Sequence, residues 1–335
     1  IGTLHGAASH RHQRDGAAWF TEWMILPQIV LGAVASARTA LTLVQGLESQ
    51  PDAMTAALKN GLGLIHAEAL SFALADLMPR PEAQELRDLA DSDGLDITVI
   101  EIDVTSDAQV EAGVAQALAA NDGKLDVLIN NAGISVGGPI EVQDMQATAL
   151  IFDTNVYGCH RMARAALPSM RANGGGQIFN ISSQLGRVII PGFGMYSATK
   201  FAVEAMSEQM AYELVPHGVD VTIIQPGGYP TRIWANNNAN SGPLKERTSE
   251  DLLAAYPELT AGMGERTGGG STDPMDIPRA IAEIIALPKG SRPLRKALHP
   301  VARPQEPLND AAAQVQLAVL GDSPLGPWVK DVLER

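Results

Sequence analysis

The chain of 335 residues carries a formal net charge of −14, with 45% hydrophobic and 19% charged residues, so it can bury one large core or two small ones. The acidic balance argues against a nucleic-acid partner, because neutralising a phosphate backbone requires lysine and arginine. Cys159 is the only cysteine, which excludes an intrachain disulfide and a cysteine-held metal. We therefore expect no bound metal and a reducing compartment, the cytoplasm.

The most apolar early stretch, residues 23–44, does not fit a membrane helix. Pro27 and Arg38 interrupt it, and spanning a bilayer requires about 20 consecutive apolar residues. Asp15 and Glu22 precede it, where a secretory signal carries positive charge. We expect neither a membrane span nor secretion.

Beyond residue 96, apolar runs alternate with helical patterns at the spacing of βαβ units. The runs predict strands over 97–102, 125–130, 177–181 and 219–224, and the patterns predict helices over 106–120, 147–171 and 197–215. Ser106 is the expected N-cap of the first helix. This order predicts an α/β fold with a doubly wound parallel sheet of the Rossmann type.

Two later stretches depart from the alternation. Residues 232–276, rich in Asn, Gly and Thr, predict a lid with short helices, because excursions of that length are usually functional or disordered. The end of the chain is Pro-rich with one helical pattern, at 309–320. We therefore expect an unassigned segment 1–55, a domain 56–300 and a C-terminal extension 301–335.

Tyr196 and Lys200 stand four residues apart, so on a helix both side chains lie on one face, one turn apart. A free phenol titrates at about 10 and exchanges protons poorly near neutrality unless a cation stabilises the phenolate. Lys200 is placed to be that cation. Such a pair is also common on solvated helix faces, so its meaning depends on the surrounding motifs.

Those motifs occur in order along the chain. Residues 180–183 close a strand and place Ser183 thirteen residues before Tyr196. The others are Asp103-Val104-Thr105, Asn130-Asn131-Ala132-Gly133, Asn155 and Pro226-Gly227-Gly228-Tyr229-Pro230-Thr231. With this series the sequence resembles the short-chain dehydrogenase/reductase family over residues 97–300, since one motif arises by chance more easily than an ordered set.

The resemblance implies an NAD(P)-dependent oxidoreductase that interconverts a carbonyl and an alcohol. Tyr196 would be the general acid/base, Ser183 would hydrogen-bond the substrate oxygen, and Lys200 would also hold the nicotinamide ribose. Asn155 would anchor a water linking Lys200 to solvent, and an asparagine that only bonds backbone is an equal alternative. Ser182 competes for the serine role, but the spacing favours Ser183. Such donors suit carbonyl reduction, which builds negative charge on oxygen.

The resemblance also implies a site for NADP, with NAD as the alternative. The cofactor would contact Tyr196, Lys200 and nine further residues: Asp103, Val104, Asn130, Asn131, Ala132, Gly133, Pro226, Gly227 and Thr231. Asn and Gly are ordinary turn residues too, so residues 130–133 could support both sheet and cofactor. Asp76 would favour NAD, whereas Arg80 would favour the phosphate of NADP.

The family's pyrophosphate-binding glycine motif is incomplete in this sequence. The best match places Gly61 and Gly63 at a helical start, but Ala57 occupies the expected first glycine and no strand precedes it. A rival lies at residues 29–33, and a plain helical or disordered segment is a third alternative. The first strand and the glycine loop are thus atypical.

Phe193, Met195, Tyr229, Ile233 and Trp234 flank the expected catalytic residues and the lid. They predict an apolar pocket for a bulky lipophilic alcohol or ketone, with ordinary core packing as the alternative. No arginine cluster marks an acidic substrate.

The helix expected from Ser197 carries small and apolar residues such as Ala202, Ala205, Met206 and Met210. They are compatible with the homodimer or homotetramer that the resemblance implies. A second hypothesis is a non-catalytic relative that acts as a binding or scaffold protein. The incomplete glycine motif favours this alternative, and the complete set of catalytic residues opposes it.

Overall fold

The computed structural model describes residues 97–335 together with Asp88 and Ser92. The chain divides into two compact units, Ile1–Leu95 and Asp96–Arg335. All helices and strands named below belong to the second unit and are numbered within it.

Four parallel strands form the sheet of this unit and follow one another across it in chain order. They are β1 (Val127–Asn130), β2 (Gly176–Ile181), β3 (Val219–Pro226) and β4 (Arg295–Leu298). Strands β1 to β3 confirm three of the predicted strands within a few residues. The register pairs Asn130 with Asn180 and Asn180 with Ile223, so the carboxyl ends of these strands meet at one edge.

Ten α-helices occur within residues 97–335. They are α1 (Asp107–Ala120), α2 (Met145–Phe152), α3 (Gly158–Ala172), α4 (Tyr196–Glu213), α5 (Ile233–Arg247), α6 (Glu250–Ala254), α7 (Pro257–Thr260), α8 (Asp276–Ile285), α9 (Glu306–Leu320) and α10 (Gly326–Leu333). Ser106 caps α1 as expected, because its Oγ accepts a hydrogen bond from the Gln109 backbone N at 3.4 Å. The predicted lid contains α5, α6 and α7.

Two expectations are wrong. Residues 97–102 adopt no regular secondary structure, and no described strand pairs with them. Their β-branched residues suit a pleated surface, but a strand also requires a neighbour that takes up its backbone hydrogen bonds. The single helix expected over 147–171 is divided, because a π-helical turn, Asp153–Tyr157, separates α2 from α3.

Helices cover both faces of the sheet. Ile178 of β2 lies in one buried cluster with Met170 of α3 and Ala211 of α4. The next residue, Phe179, points to the opposite face and packs with Ile281 of α8. Burying a large apolar side chain contributes about 1.5–3 kcal/mol, so both layers hold the sheet. This arrangement, an α/β doubly wound fold, confirms the predicted fold class.

The C-terminal extension packs onto the same core. Val329 and Val332 of α10 are buried in the cluster that includes β2 and β3 residues. Arg335 Nη1 lies 2.6 Å from Oδ1 of the buried Asp220 on β3. Among the helices of residues 97–335, none is both long and apolar enough to span a bilayer.

Candidate active site

A cavity of about 560 Å³ lies where residues following β1, β2 and β3 meet the lid, the edge at which open α/β sheets bind ligands. Its wall contains eight of the expected site residues: Asn131, Gly133, Ser183, Tyr196, Lys200, Pro226, Gly227 and Thr231. Five others do not line it: Asp103, Val104, Asn130, Ala132 and Asn155. The expected catalytic and nucleotide-contacting residues are therefore largely, but not entirely, brought together.

Tyr196 and Lys200 occupy the first two turns of α4 and face the same cavity. Lys200 is only 6% exposed, and its Nζ donates to the Ile181 carbonyl at 2.8 Å and lies 5.6 Å from the centre of the Tyr196 ring. The Tyr196 hydroxyl makes no hydrogen bond with any residue in 97–335. A fixed cation thus lies beside a phenol whose hydroxyl is free to meet a substrate.

Ser183 and Ser182 both contribute to the wall, but their hydroxyls have different surroundings. Ser183 Oγ accepts from the Leu185 backbone N at 3.1 Å, which leaves its own proton available to a substrate oxygen. Ser182 Oγ is buried without a partner among the described residues and packs against Gly186, where an added Cβ would lie 2.6 Å from it. The geometry favours Ser183 for the serine role.

Asn155 lies in the π-helical turn and is 1% exposed. Its Oδ1 accepts from the Ile134 backbone N at 2.8 Å, and its Nδ2 donates to the Ile134 carbonyl at 2.9 Å and to Thr199 Oγ1 at 3.0 Å. The side chain therefore fixes the strand exit at Ile134 against α4, as the backbone-bonding alternative expects. Its role in anchoring a water stays a prediction.

Asn130 supports the sheet. Its Nδ2 donates to Asn180 Oδ1 at 2.8 Å, and Asn180 Nδ2 donates to Ser207 Oγ of α4 at 2.8 Å. All three side chains are buried. This chain of amides holds β1, β2 and α4 together behind the cavity, whereas Ala132 is exposed outside its wall.

Asp103 and Val104 build the turn that precedes α1. Asp103 Oδ1 accepts from the Thr105 backbone N at 2.9 Å and from Thr105 Oγ1 at 2.8 Å. Val104 packs on Gly158, where an added Cβ would lie 2.8 Å from its Cγ2. Their described contacts are thus structural, and their role toward a cofactor stays a prediction.

Glycines shape the strand exits around Lys200. A Cβ added to Gly133 would lie 3.3 Å from Asn155 Oδ1 and 3.7 Å from Lys200 Nζ, and one added to Gly227 would lie 2.6 Å from the His299 ring. Gly227 N also donates to the Leu298 carbonyl at 2.8 Å. At Gly133 and Gly227 the backbone therefore lies close to the neighbouring side chains, because glycine places no side chain in between.

A buried charged cluster supports α4 one turn beyond Lys200. Glu204 Oε2 lies 2.8 Å from Arg295 Nε and 3.5 Å from Arg187 Nε, and Glu204 Oε1 accepts from Gln225 at 2.8 Å. The Glu204 side chain is 3% exposed. The cluster joins the turn after Ser183 to β3, β4 and α4.

The lid forms the opposite wall through contacts that the sequence did not reveal. Asn237 Oδ1 of α5 accepts from Ser135 Oγ at 2.9 Å, and Ser241 Oγ accepts from the Gly137 backbone N at 2.7 Å. The Phe193 and Trp234 rings meet edge to face at 6.5 Å between centroids. The sequence predicts only short helices in the lid, because asparagine is common in turns, and it gives no signal for the 15-residue α5.

Burial changes the acidity of two groups near the cavity. Burial, followed by the nearby Asp276 carboxylate, raises the pKa of the Tyr229 phenol, which lines the wall. Burial also raises the pKa of the Cys159 thiol, although Lys200 opposes the shift. Both groups therefore stay neutral near neutrality, so neither supplies an anion to the site.

The remaining expected positions lie outside the described residues. These are Gly61 and Gly63, the rival stretch 29–33, and the cofactor-selecting Asp76 and Arg80.

A parallel sheet covered on both faces, with a serine, a tyrosine and a lysine at its carboxyl edge, defines the α/β class of dinucleotide-binding proteins. The sequence model described as short chain dehydrogenase matches residues 58–242, more than half of the chain. The chain belongs to the short-chain dehydrogenase family of oxidoreductases.

Curated relatives agree with this assignment. An uncharacterized oxidoreductase of Bacillus subtilis is 30% identical over 239 residues, 69% of this chain and 83% of that protein. The 3-ketodihydrosphingosine reductase of Bacteroides thetaiotaomicron is 34% identical over 207 residues, 62% of this chain and 74% of that protein. Retinol dehydrogenase 8 of Homo sapiens is 32% identical over 212 residues, 61% of this chain and 64% of that protein.

Solved structures share the fold. A short chain dehydrogenase/reductase from Burkholderia phymatum in complex with NAD has a TM-score of 0.54 at 26% identity, covering 71% of this chain and 81% of that one. The closed form of serine dehydrogenase complexed with NADP+ has a TM-score of 0.52 at 27% identity, covering 65% and 82%.

Proposed function

We propose that the protein is an NAD(P)-dependent oxidoreductase that interconverts a carbonyl and an alcohol on a lipophilic substrate, with Tyr196 as general acid/base. The observation that carries the proposal is the shared cavity, which Ser183 lines together with Tyr196 and the buried Lys200, whose Nζ lies 5.6 Å from the centre of the Tyr196 ring.

The chain's own residues would handle the oxygen and its proton. In reduction, Ser183 donates a hydrogen bond to the carbonyl oxygen and Tyr196 delivers the proton as negative charge grows there. Lys200, held by Ile181, stabilises the phenolate that remains. Oxidation reverses these steps, with Tyr196 accepting the proton of the alcohol.

The residues around Lys200 fit a nicotinamide nucleotide. Lys200 uses one of its three N–H donors on Ile181, and the others are not taken by described residues. Asn131, Gly133, Pro226, Gly227 and Thr231 line the same cavity and would hold the nucleotide beside Lys200. The bound nicotinamide supplies or accepts the hydride. Solved relatives crystallised with NAD or NADP+ support this use, and we favour NADP because of Arg80.

The substrate half of the cavity is largely apolar. Its wall includes Ile190, Phe193, Ile233 and Trp234, and the Phe193 and Trp234 rings meet edge to face. Apolar walls bind lipophilic molecules by removing their surface from water. The names of two relatives, a 3-ketodihydrosphingosine reductase and a retinol dehydrogenase, refer to lipophilic substrates and support the same class.

We further propose a homodimer or homotetramer in the cytoplasm. Exposed apolar side chains lie on α4 and on the turn before α3: Phe201 is 40% exposed and Tyr157 53% exposed. Burying such residues between copies removes apolar surface from water. A monomeric mass in light scattering at micromolar concentration would contradict the proposal.

The experiment that tests the proposed function is titration of the full chain with NADPH and NADH, followed by the fluorescence of the bound cofactor. Micromolar binding and oxidation of NADPH by long-chain ketones are the expected results. A folded chain that binds neither cofactor would instead favour the non-catalytic relative, a hypothesis that the incomplete glycine motif around Ala57 keeps open.

A further inference from the structure

Gln225 of β3 lies directly before Pro226 and Gly227, which line the cavity. Its side chain is fully buried, and its Nε2 donates to Glu204 Oε1 of α4 at 2.8 Å. Glu204 lies one helical turn beyond Lys200 on the same face of α4. Gln225 therefore contacts the helix that carries Lys200 and also leads directly into the cavity wall.

Helix α9, near the end of the chain, provides further hydrogen bonds to Gln225. Asn309 Nδ2 donates to Gln225 Oε1 at 2.8 Å, and Gln225 Nε2 also donates to Asn309 Oδ1 at 3.3 Å. Gln305, at the N-cap of α9, donates from its Nε2 to the Gln225 backbone carbonyl at 3.0 Å. A continuous chain of hydrogen bonds thus runs from α9 through Gln225 to Glu204 of α4.

The polar character of this link is unfavourable for packing alone. Gln305 is fully buried, and its Oε1 has no hydrogen-bond partner within residues 97–335. A buried polar atom without a partner destabilises the fold, whereas an apolar side chain of similar size would not. Such departures from ordinary core packing are expected where a residue serves a functional site. The contribution of Gln305 is therefore its bond to the carbonyl that precedes Pro226.

Glu204 also contacts the segment after Ser183. Arg187 Nε lies 3.5 Å from Glu204 Oε2. A Cβ added to Gly186 would lie 3.0 Å from Glu204 Cγ and 3.2 Å from the Lys200 carbonyl oxygen, so the backbone after Ser183 packs closely on α4. A displacement of Glu204 would therefore change the position of Ser183 relative to Lys200.

We propose that Asn309 is a positioning residue for the active site, which acts through Gln225 and Glu204 to hold α4 and the end of β3 in place. The inference rests on the proposed function, because it concerns the same cavity. Small displacements of reacting groups lower the rate strongly, even when the substituted residue is remote from the chemistry. Helix α9 lies beyond residues 58–242, which match the family model. The C-terminal part of the chain is then a working part of the active site.

Steady-state kinetics of a double-mutant cycle test the proposal. The value of kcat per bound NADPH, and the KM for a ketone, are measured for the wild type, Asn309→Ala, Gln225→Met and the double variant. Asn309→Ala should lower kcat by about tenfold and leave KM unchanged, since Asn309 does not line the cavity. In the Gln225→Met background the same change should have almost no effect, because Asn309 acts through Gln225. An unchanged kcat in Asn309→Ala, or an equal loss in both backgrounds, would overturn the proposal.

Two control variants remove polar groups that do not contact Gln225. Thr222→Val removes the buried bond from Thr222 Oγ1 of β3 to the Pro293 carbonyl, 2.9 Å long, and Gln314→Ala removes an exposed amide from α9. Both should keep the wild-type kcat, and a loss in Thr222→Val equal to that in Asn309→Ala would overturn the proposal. Thermal unfolding shows which variants fold. If Asn309→Ala does not, Asn309→Asp, in which an oxygen replaces the N–H donor to Gln225, carries the comparison.

Hydrogen exchange separates this inference from the proposed reaction, because it requires no turnover. Deuterium uptake by peptides covering α4 is compared for the wild type, Asn309→Ala and Thr222→Val. Amides around Glu204 should exchange about tenfold faster in Asn309→Ala; unchanged exchange, or an equal increase in Thr222→Val, would overturn the positioning role. Faster exchange in Asn309→Ala, with a wild type that reduces no ketone, would refute the reaction and support the link from α9 to α4. Wild-type turnover that is insensitive to Asn309 would refute the positioning role alone.

Discussion

The two walls of the cavity are built by different means. On the wall that carries the proposed catalytic residues, called the catalytic wall below, polar side chains are held by backbone partners: Lys200 by the Ile181 carbonyl and Ser183 by the Leu185 backbone N. On the lid wall, α5 is pinned by the hydrogen bond from Ser135 to Asn237, and the surface it presents to the cavity includes the apolar Ile233 and the Trp234 ring, which meets Phe193 edge to face.

This difference suits one wall to carrying out the reaction and the other to selecting the substrate. A catalytic group works best when its orientation is fixed before the reaction, because no reorganisation is then needed as charge develops. A wall that selects substrates needs shape and a few unsatisfied groups that the ligand completes. Changes on the catalytic wall should therefore abolish turnover of every substrate, and changes on the lid wall should alter preference among substrates.

The largest expected effect is that of Lys200→Met. Methionine has a similar length but cannot donate to Ile181 or stabilise a phenolate, so kcat/KM should fall by about a thousandfold for every substrate. The measurement is the initial rate of NADPH oxidation. Lys330→Met, on the exposed side of α10, is the matched control and should keep full activity; a similar loss there would show that the effect is nonspecific.

The next largest expected effect is a loss of stability when the charged cluster that packs against α4 is broken. Glu204→Ala leaves the Arg295 guanidinium buried with Glu208 as its remaining acidic partner, and removing one member of a buried pair should lower the free energy of unfolding by about 3 kcal/mol. Denaturant unfolding measures this. Glu213→Ala, at the exposed end of α4, should change it by less than about 0.5 kcal/mol. Equal losses would mean that the cluster adds no special stability.

The two serines provide a sharper comparison within the catalytic wall. Ser183→Ala should lower kcat/KM by about tenfold to a hundredfold, because a donor to the substrate oxygen is lost. Ser182→Ala removes a buried hydroxyl without a described partner and should leave kcat/KM within about twofold. The reverse ranking in steady-state kinetics would reassign the serine role to Ser182.

The smallest effect concerns the link between the lid and α2. Asp144 caps α2 through the Ala147 backbone N at 2.7 Å and pairs with Arg247 of α5. Asp144→Ala should lower the unfolding free energy by about 1 kcal/mol, mostly from the cap, since the exposed ion pair is screened by solvent.

That effect should depend on pH. The Arg247 hydrogen bond, and then the bond from the Ala147 backbone N, hold the pKa of the folded Asp144 carboxyl below its ordinary value. The stabilisation is therefore present above the ordinary carboxyl range and is lost as pH falls through the folded pKa. Thermal unfolding of wild type and variant should converge in acid. A difference that grows on acidification would contradict this account of the cap.

The sequence predicted those helices and strands whose residue pattern is clear within the segment itself. Long apolar runs marked β2 and β3, and helical spacing placed Tyr196 and Lys200 on one face. Residues 97–102 have the composition of a strand, yet pairing depends on a neighbour that composition does not specify. Strand β4 was missed because it has only four residues, two of them the charged Arg295 and Lys296.

Site residues were predictable where a motif sets both the position of the residue and the direction in which its side chain points. Ser183 follows from the spacing to Tyr196, but nothing local shows that Asn130 turns its amide toward Asn180 and away from the cavity. The contact between Ser135 and Asn237 joins residues 102 positions apart. Such a pair is decided by tertiary packing, which one sequence without its fold does not reveal.

The most direct test of the central claim compares Tyr196→Phe with the wild type in two assays on the same preparations: NADPH titration and NADPH oxidation with a ketone substrate. The account predicts that cofactor affinity stays within about twofold, because only one hydroxyl is removed, while turnover falls by at least about a thousandfold. Turnover by Tyr196→Phe at the wild-type rate would contradict the account, since proton transfer would then not depend on this phenol.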